Sequence, residues 1–146
     1  MPDIAITTDI IVGFPTETPE DVDETVDIIK KAEFDGAFTF IYSRRTGTPA
    51  ASMPFVMSDE EIHLQFDRVL KTVQETARKR TDFYTGMTLP VLVESLNDKN
   101  PTMVTGRIPQ NTTVHFPGAS SLIGEIVNVH LDKNLGFYFE GTNVNT

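Results

Sequence analysis

The stretch Thr7-Thr-Asp-Ile-Ile-Val-Gly-Phe-Pro-Thr-Glu-Thr-Pro-Glu-Asp21 says more about chemistry than any other. The apolar run Ile10 to Val12 has the length and β-branching of a buried strand, and Gly13-Phe14-Pro15 breaks it. Thr18 is a hydroxyl cap, Pro19 is pre-set for the first helical position, and Glu20 and Asp21 suit the positive end of a helix dipole. A helix is therefore predicted to start at Pro19. A strand ending in a glycine turn before a helix N-terminus directs backbone N–H groups into a crevice, which suits a nucleotide or a carboxylate. An ordinary strand-to-helix turn is written with the same residues, and for a lone Gly-x-Pro it is the commoner case. A second candidate is Ser43-Arg-Arg-Thr-Gly-Thr-Pro-Ala50, a loop in which Arg44 and Arg45 stand at the end of a predicted strand, where α/β sheets bind ligands. Phosphate is their natural partner, and a solvated loop accounts for the pair equally well. His63 has no second ligand at metal spacing and reads as an exposed helix residue.

Those residues need elements to hold them. A helix from Pro19 to Phe34 places Val22, Val26, Ile29 and Ala32 on one stripe, Asp35-Gly36 stops it, and Ala37 to Tyr42 reads as a second strand. Strand, helix, strand with short loops is a right-handed βαβ unit with two parallel strands. Parallel sheets need both faces covered, so this unit is expected to be the end of a longer α/β domain, or else to bury its apolar surfaces in an oligomer or against the next helix. Ser58-Asp-Glu-Glu61 is a capping box opening the longest helix, where Ile62, Phe66, Val69, Val73 and Ala77 keep a helical period on the way to Gly86. Arg78-Lys79-Arg80 suits the negative end of that helix.

After Gly86 the period changes to two. Leu89 to Leu96, Met103 to Ile108, Thr113 to Phe116, Gly124 to Leu131 and Leu135 to Glu140 read as five short antiparallel strands separated by turn residues. They suggest a small closed barrel of the oligonucleotide-binding type. The fold class is thus α+β, divided into residues 1–57 as a βαβ part, 58–85 as a linking helix and 86–146 as the barrel.

Composition narrows the function. The 146 residues contain no cysteine, so no disulfide, thiolate nucleophile or thiolate metal site can form within them. No transmembrane run or secretory signal is present, and a cytoplasmic setting with no membrane partner is expected. The net charge of −9 is spread along the chain: residues 1–81 hold 15 acidic and 9 basic groups, and residues 82–146 hold 6 and 3. Neither part is a basic patch, so tight binding to phosphate backbone of any sequence is not expected.

Three ordered blocks resemble the C-terminal third of the radical S-adenosylmethionine methylthiotransferases: Asp9 to Asp21; Phe34 to Ser43 with Gly47 to Ala50; and Gly106-Arg107, Asn111, Val114 to Gly118 and Leu122 to Gly124. The likeness is greatest to the tRNA enzymes that add a methylthio group to an isopentenylated adenosine beside the anticodon. The resemblance implies the end of a partial (β/α) barrel, a linking helix, and a TRAM domain that holds the tRNA anticodon stem-loop. It implies that Ile11, Gly13, Glu17, Tyr42 and Ser43 lie beside S-adenosylmethionine. Arg107, Asn111 and Phe116 match the TRAM motif, with Arg107 suited to phosphate or a base edge, Asn111 to an exposed base, and Phe116 to base stacking or to the core. In strand positions of the same barrel, His115 and His130 read as exposed residues.

The chain departs from the family in several places. The usual turn Gly-Glu-Thr is Thr16-Glu17-Thr18, a common proline is Arg44, and the run Arg-Thr-Arg-Thr-Asn is Arg107-Ile-Pro-Gln-Asn111. The family's two [4Fe–4S] clusters each need three cysteines, which must then lie in a missing N-terminal part of a parent chain. The chain is accordingly expected to be a fragment without bound cofactor and inactive alone. The alternatives are a fragment of the related enzyme acting on a ribosomal protein, which Arg44-Arg45-Thr46 disfavours, or a non-enzymatic RNA-binding module.

Overall fold

The computed structural model describes residues 4–144. The outer ends of the expected first and third segments, residues 1–3 and 145–146, lie outside it. The elements run β1 (Thr7–Val12), α1 (Pro19–Ala32), β2 (Gly36–Ile41), α2 (Asp59–Asp82), β3 (Thr88–Leu96), β4 (Met103–Arg107), β5 (Thr113–Pro117), β6 (Ile126–Asn134) and β7 (Tyr138–Asn143), with short 3-10 turns at Pro49–Ser52 and Ser120–Leu122. The chain divides into two units, one of Ala5–Ala77 and one built on the chain from Arg78 onward.

In the first unit β1 and β2 pair in parallel, from Thr7 opposite Gly36 to Val12 opposite Ile41. The residues that start α1 act as their types require. The Thr18 hydroxyl accepts from the Asp21 N–H at 3.2 Å, and the Asp21 carboxylate accepts from the Thr18 N–H at 2.8 Å. The helix ends earlier than Asp35-Gly36 would end it. Glu33 takes the left-handed conformation, φ 49°, and its N–H returns to the Ile29 carbonyl. Ala32 is exposed as a result, and only Val22, Val26 and Ile29 of the expected stripe are buried. They meet Ile10 and Val12 of β1 and Ile62, Val69 and Val73 of α2 in one core. The following helix therefore covers part of the surface that the βαβ unit leaves open. The opposite sheet face remains bare, with Ile11 53%, Phe38 67% and Phe40 52% exposed.

The second unit is a closed barrel in the ring order β3-β4-β5-β7-β6. Its pairs are antiparallel except β5 with β7, which run parallel. An all-antiparallel arrangement was the expectation, and geometry forbids it: strand direction cannot alternate around a ring of five, so one neighbouring pair must agree. Phe116, Phe139, Leu131 and the valines at 91, 93, 104, 114 and 129 fill the interior, and Tyr84, just past α2, joins them. The last strand also begins later than Leu135. Asp132 to Asn134 belong to β6, which carries a bulge after Leu131, and the turn falls at Gly136 with φ 95°.

Candidate functional site

The glycine turn after β1 does hold a carboxylate, and that carboxylate is the chain's own. Gly13, at φ 79°, donates its N–H to Glu17 Oε2 at 2.5 Å. Glycine is required on two counts, since a Cβ there would also lie 2.7 Å from Ile62 Cγ2. Burial pushes the Glu17 carboxyl above its ordinary range; the Gly13 amide pulls it down, and Asp21 pushes it up again. Thr16, in the same turn, is a β-branched residue at φ 75°.

Tyr42 follows β2 and donates its N–H to the Val12 carbonyl at 2.8 Å. Its ring sits edge-on to Phe14 and Phe55, with centroids 5.1 and 6.2 Å away. Among the described residues its hydroxyl is buried with no hydrogen-bond partner. Ser43 is exposed, and Ile11 points to the bare face of the sheet. Arg44 is engaged within its own loop: its guanidinium lies 4.5 Å from the Phe55 ring centroid and donates to the Ala51 carbonyl. Arg45 is exposed, and its carbonyl accepts from the Thr48 hydroxyl at 2.8 Å.

In the barrel, Arg107 ends β4 and is held from two sides. Its Nε donates to Glu94 Oε2 at 3.1 Å, and Nη1 donates to Asn111 Oδ1 at 3.1 Å and to the Asn111 carbonyl at 3.3 Å. Asn111 is left-handed, φ 66°, a conformation its short polar side chain tolerates. Arg107 and Asn111 rim a depression of about 380 Å³ whose walls include Leu92, Pro109 and Ile126. Leu92 and Ile126 are 45% and 68% exposed, so apolar surface and a guanidinium are offered together. Phe116 is not part of any such surface. It is fully buried between the strands, because Val114 and Phe116 share the inward face of β5, and its stacking role is withdrawn.

The outward face of β5 carries His115, which the sequence marks only as an exposed strand residue. Ser95, Thr105, His115 and Glu140 are successive register partners across β3, β4, β5 and β7, forming one polar row over the barrel. His115 is half-buried rather than exposed. Its Nδ1 lies 2.9 Å from Thr105 Oγ1 and 3.1 Å from Asn97 Nδ2, and its ring meets Tyr138 edge-on at 4.7 Å. Burial holds its pKa below the ordinary histidine value, and the Glu140 charge works against that. Only register, which the linear sequence does not carry, brings these residues together.

Among the described residues no three His, Asp or Glu side chains are placed to hold a metal ion, and no helix is long and apolar enough to cross a membrane. Residues 82–144 match the TRAM domain family. Over 141 residues, 97% of its length, the chain is 46% identical to the tRNA-2-methylthio-N(6)-dimethylallyladenosine synthase of Lachnoclostridium phytofermentans, and covers 31% of that protein. Over 142 residues it is 44% identical to the synthase of the same name from Acetivibrio thermocellus, covering 30% of it. A third, from Geobacillus thermodenitrificans, is 47% identical over 133 residues, 91% of this chain and 25% of that one. The chain thus spans less than a third of the length of these relatives. Residues 82–144 are thus similar to TRAM domains, and nearly the whole chain is similar to part of the tRNA-2-methylthio-N(6)-dimethylallyladenosine synthases.

Proposed function

We propose that this chain is the RNA-holding portion of a tRNA-modifying methylthiotransferase, with the barrel gripping the anticodon stem-loop. The observation that carries the reading is Arg107, held at the mouth of a TRAM barrel beside an apolar depression by partners it can exchange. The Arg107–Glu94 pair is close to half exposed on both sides, so it is worth about 0–1 kcal/mol and yields readily to a phosphate or a base edge. Asn111 is the second contact, and Arg45 in the first unit has a side chain without a partner among the described residues. Arg44 is already engaged with Phe55 and Ala51 and contributes less.

The same reading divides the chain into residues 1–57, 58–85 and 86–146 of a longer protein. The bare face formed by Ile11, Phe38 and Phe40 would meet the rest of the parent's partial (β/α) barrel. S-adenosylmethionine fits the first unit at Tyr42 better than at Gly13. The Tyr42 hydroxyl is buried and lacks a partner among the described residues, whereas the Gly13 N–H is taken by Glu17. Tyr42 and Ser43 would hold the cofactor's polar groups and Ile11 its apolar edge, and the cofactor would supply the methyl group or the radical. The iron–sulfur clusters do not fit this chain, which has no cysteine, so catalysis belongs to the parent and the chain is inactive by itself.

The test is titration of a tRNA anticodon stem-loop into the wild type and Arg107→Ala at two salt concentrations. Beyond Asp82 the cations are only Lys99, Arg107 and Lys133, so the slope of log affinity against log salt should be shallow, about −1 to −3. Arg107→Ala should weaken binding and bring that slope closer to zero by about 0.7–0.9. A folded variant that binds as tightly with the same slope removes Arg107 from the interface and this reading with it.

A further inference from the structure

The row over β4 and β5 borders a second depression of about 400 Å³, separate from the one at Arg107, lined by Asn97, Lys99, Thr105, His115, Tyr138 and Glu140 among others. That is within the range in which small ligands bind, about 300–1,000 Å³. Its polar groups are set in a fixed pattern. Asn97 Oδ1 accepts from the N–H groups of Lys99 and Asn100 at 2.9 and 3.1 Å, which fixes the amide's orientation and leaves Nδ2, a donor only, against His115 Nδ1. Nδ1 must therefore be an acceptor, and in the neutral ring the proton sits on Nε2. Nε2 has no partner among the described residues. Burial depresses the imidazole's proton affinity, which favours the neutral ring, and the Glu140 charge works against that.

We propose that this depression seats one unstacked nucleobase of a bound RNA, with His115 Nε2–H donating to a ring or carbonyl acceptor, Glu140 accepting from an N–H, and Tyr138 supplying an aromatic surface. This rests on the RNA-binding reading and names a second contact within it. A base suits the site better than a phosphate does. The lining carries two carboxylates, Asp98 and Glu140, against one cation, Lys99, which disfavours an anion. A donor beside an acceptor matches the edge of each common base, and a ring contact is indifferent to sequence. Lys99, on the loop between β3 and β4, is left to meet the adjoining phosphate.

Two measurements test the proposal on the chain as it stands. In nitrogen-resolved NMR of the histidine side chains, His115 should show a bare Nδ1 and a protonated Nε2, and its signals and those of Tyr138 should move on addition of ribonucleosides but not of ribose 5-phosphate. With a seven-nucleotide single-stranded RNA, Tyr138→Ala and His115→Phe should each weaken binding about tenfold. A protonated Nδ1, an equal response to ribose 5-phosphate, or unchanged affinity in both folded variants overturns the proposal. If Arg107→Ala still weakens binding and lowers the salt dependence while His115 stays silent, the RNA reading stands and this base site falls. If no RNA binds at all, both fall.

Discussion

Thr16→Gly should stabilise the first unit. Thr16 has φ 75°, a left-handed conformation that costs a non-glycine residue about 1–3 kcal/mol, toward the upper part of that range for a β-branched one. The side chain is exposed and makes no hydrogen bond among the described residues, so its removal sacrifices no contact. Glycine loosens the unfolded chain and takes back about 0.5–1 kcal/mol. The net gain is about 1 kcal/mol. For a unit of this size, unfolding by itself, that is a rise of about 4–8 °C in Tm. Urea and thermal unfolding followed by far-ultraviolet circular dichroism would measure it, with Thr16→Ala as control. Alanine removes the branch and the hydroxyl but still pays for the left-handed backbone, so it should gain less than glycine. If Thr16→Gly lost stability, as exposed threonine-to-glycine changes ordinarily do, the strain argument would be refuted.

Three further outcomes are expected. Gly106→Ala should destabilise the barrel by about 2–3 kcal/mol in urea melts, because its Cβ would stand 2.5 Å from both the Leu92 carbonyl oxygen and Val91 Cγ1, whereas Gly136→Ala, with open space around it, should cost only about 1 kcal/mol. Phe116→Ala should cost about 3–5 kcal/mol by the same assay, as a buried ring leaving a cavity does; a cost below 1 kcal/mol would contradict its place in the core. Acid should loosen the starts of both helices. The bonds from Thr18 and Ser58 hold the Asp21 and Glu61 carboxyls below their ordinary values, so they stabilise above the ordinary carboxylate range and that stability is lost as pH falls through the lowered values. Glu17, whose pKa is raised, has the opposite sign and favours the folded state below its ordinary value. The protection of the Asp21 and Glu61 amides, taken as exchange relative to the intrinsic rate at each pH, should fall on acidification in wild type and much less in Asp21→Asn and Glu61→Gln.

Local signals in the sequence were legible where the interaction is local. Thr18 with Asp21 and Ser58 with Glu61 close their capping boxes within three residues, and the structure contains both. The alternation that marks β3 to β5 likewise needs only neighbours. Glu33 was missed because a left-handed non-glycine cap has no compositional mark, and Asp132 to Asn134 looked like a turn because a bulged strand and a turn use the same residues. The ring parity that makes β5 and β7 parallel is a property of five strands together and of no single stretch. For the site the division is similar. Arg107 and Asn111 stand four residues apart and meet around one loop, while Thr105, His115 and Glu140 are brought together only by strand register.

The place of β7 in the ring bears on synthesis of the protein. β7 lies between β5 and β6 rather than at the end of a sheet, so the barrel lacks a stave, not a fringe, until residues 138–143 have left the ribosome. A nascent chain halted before Tyr138 carries four strands with the facing sides of β5 and β6 unpaired, a ready template for pairing with a neighbouring chain. Cooperative closure therefore comes after translation of the whole domain, and chaperone engagement of stalled chains should end abruptly once Asn143 is clear of the exit tunnel.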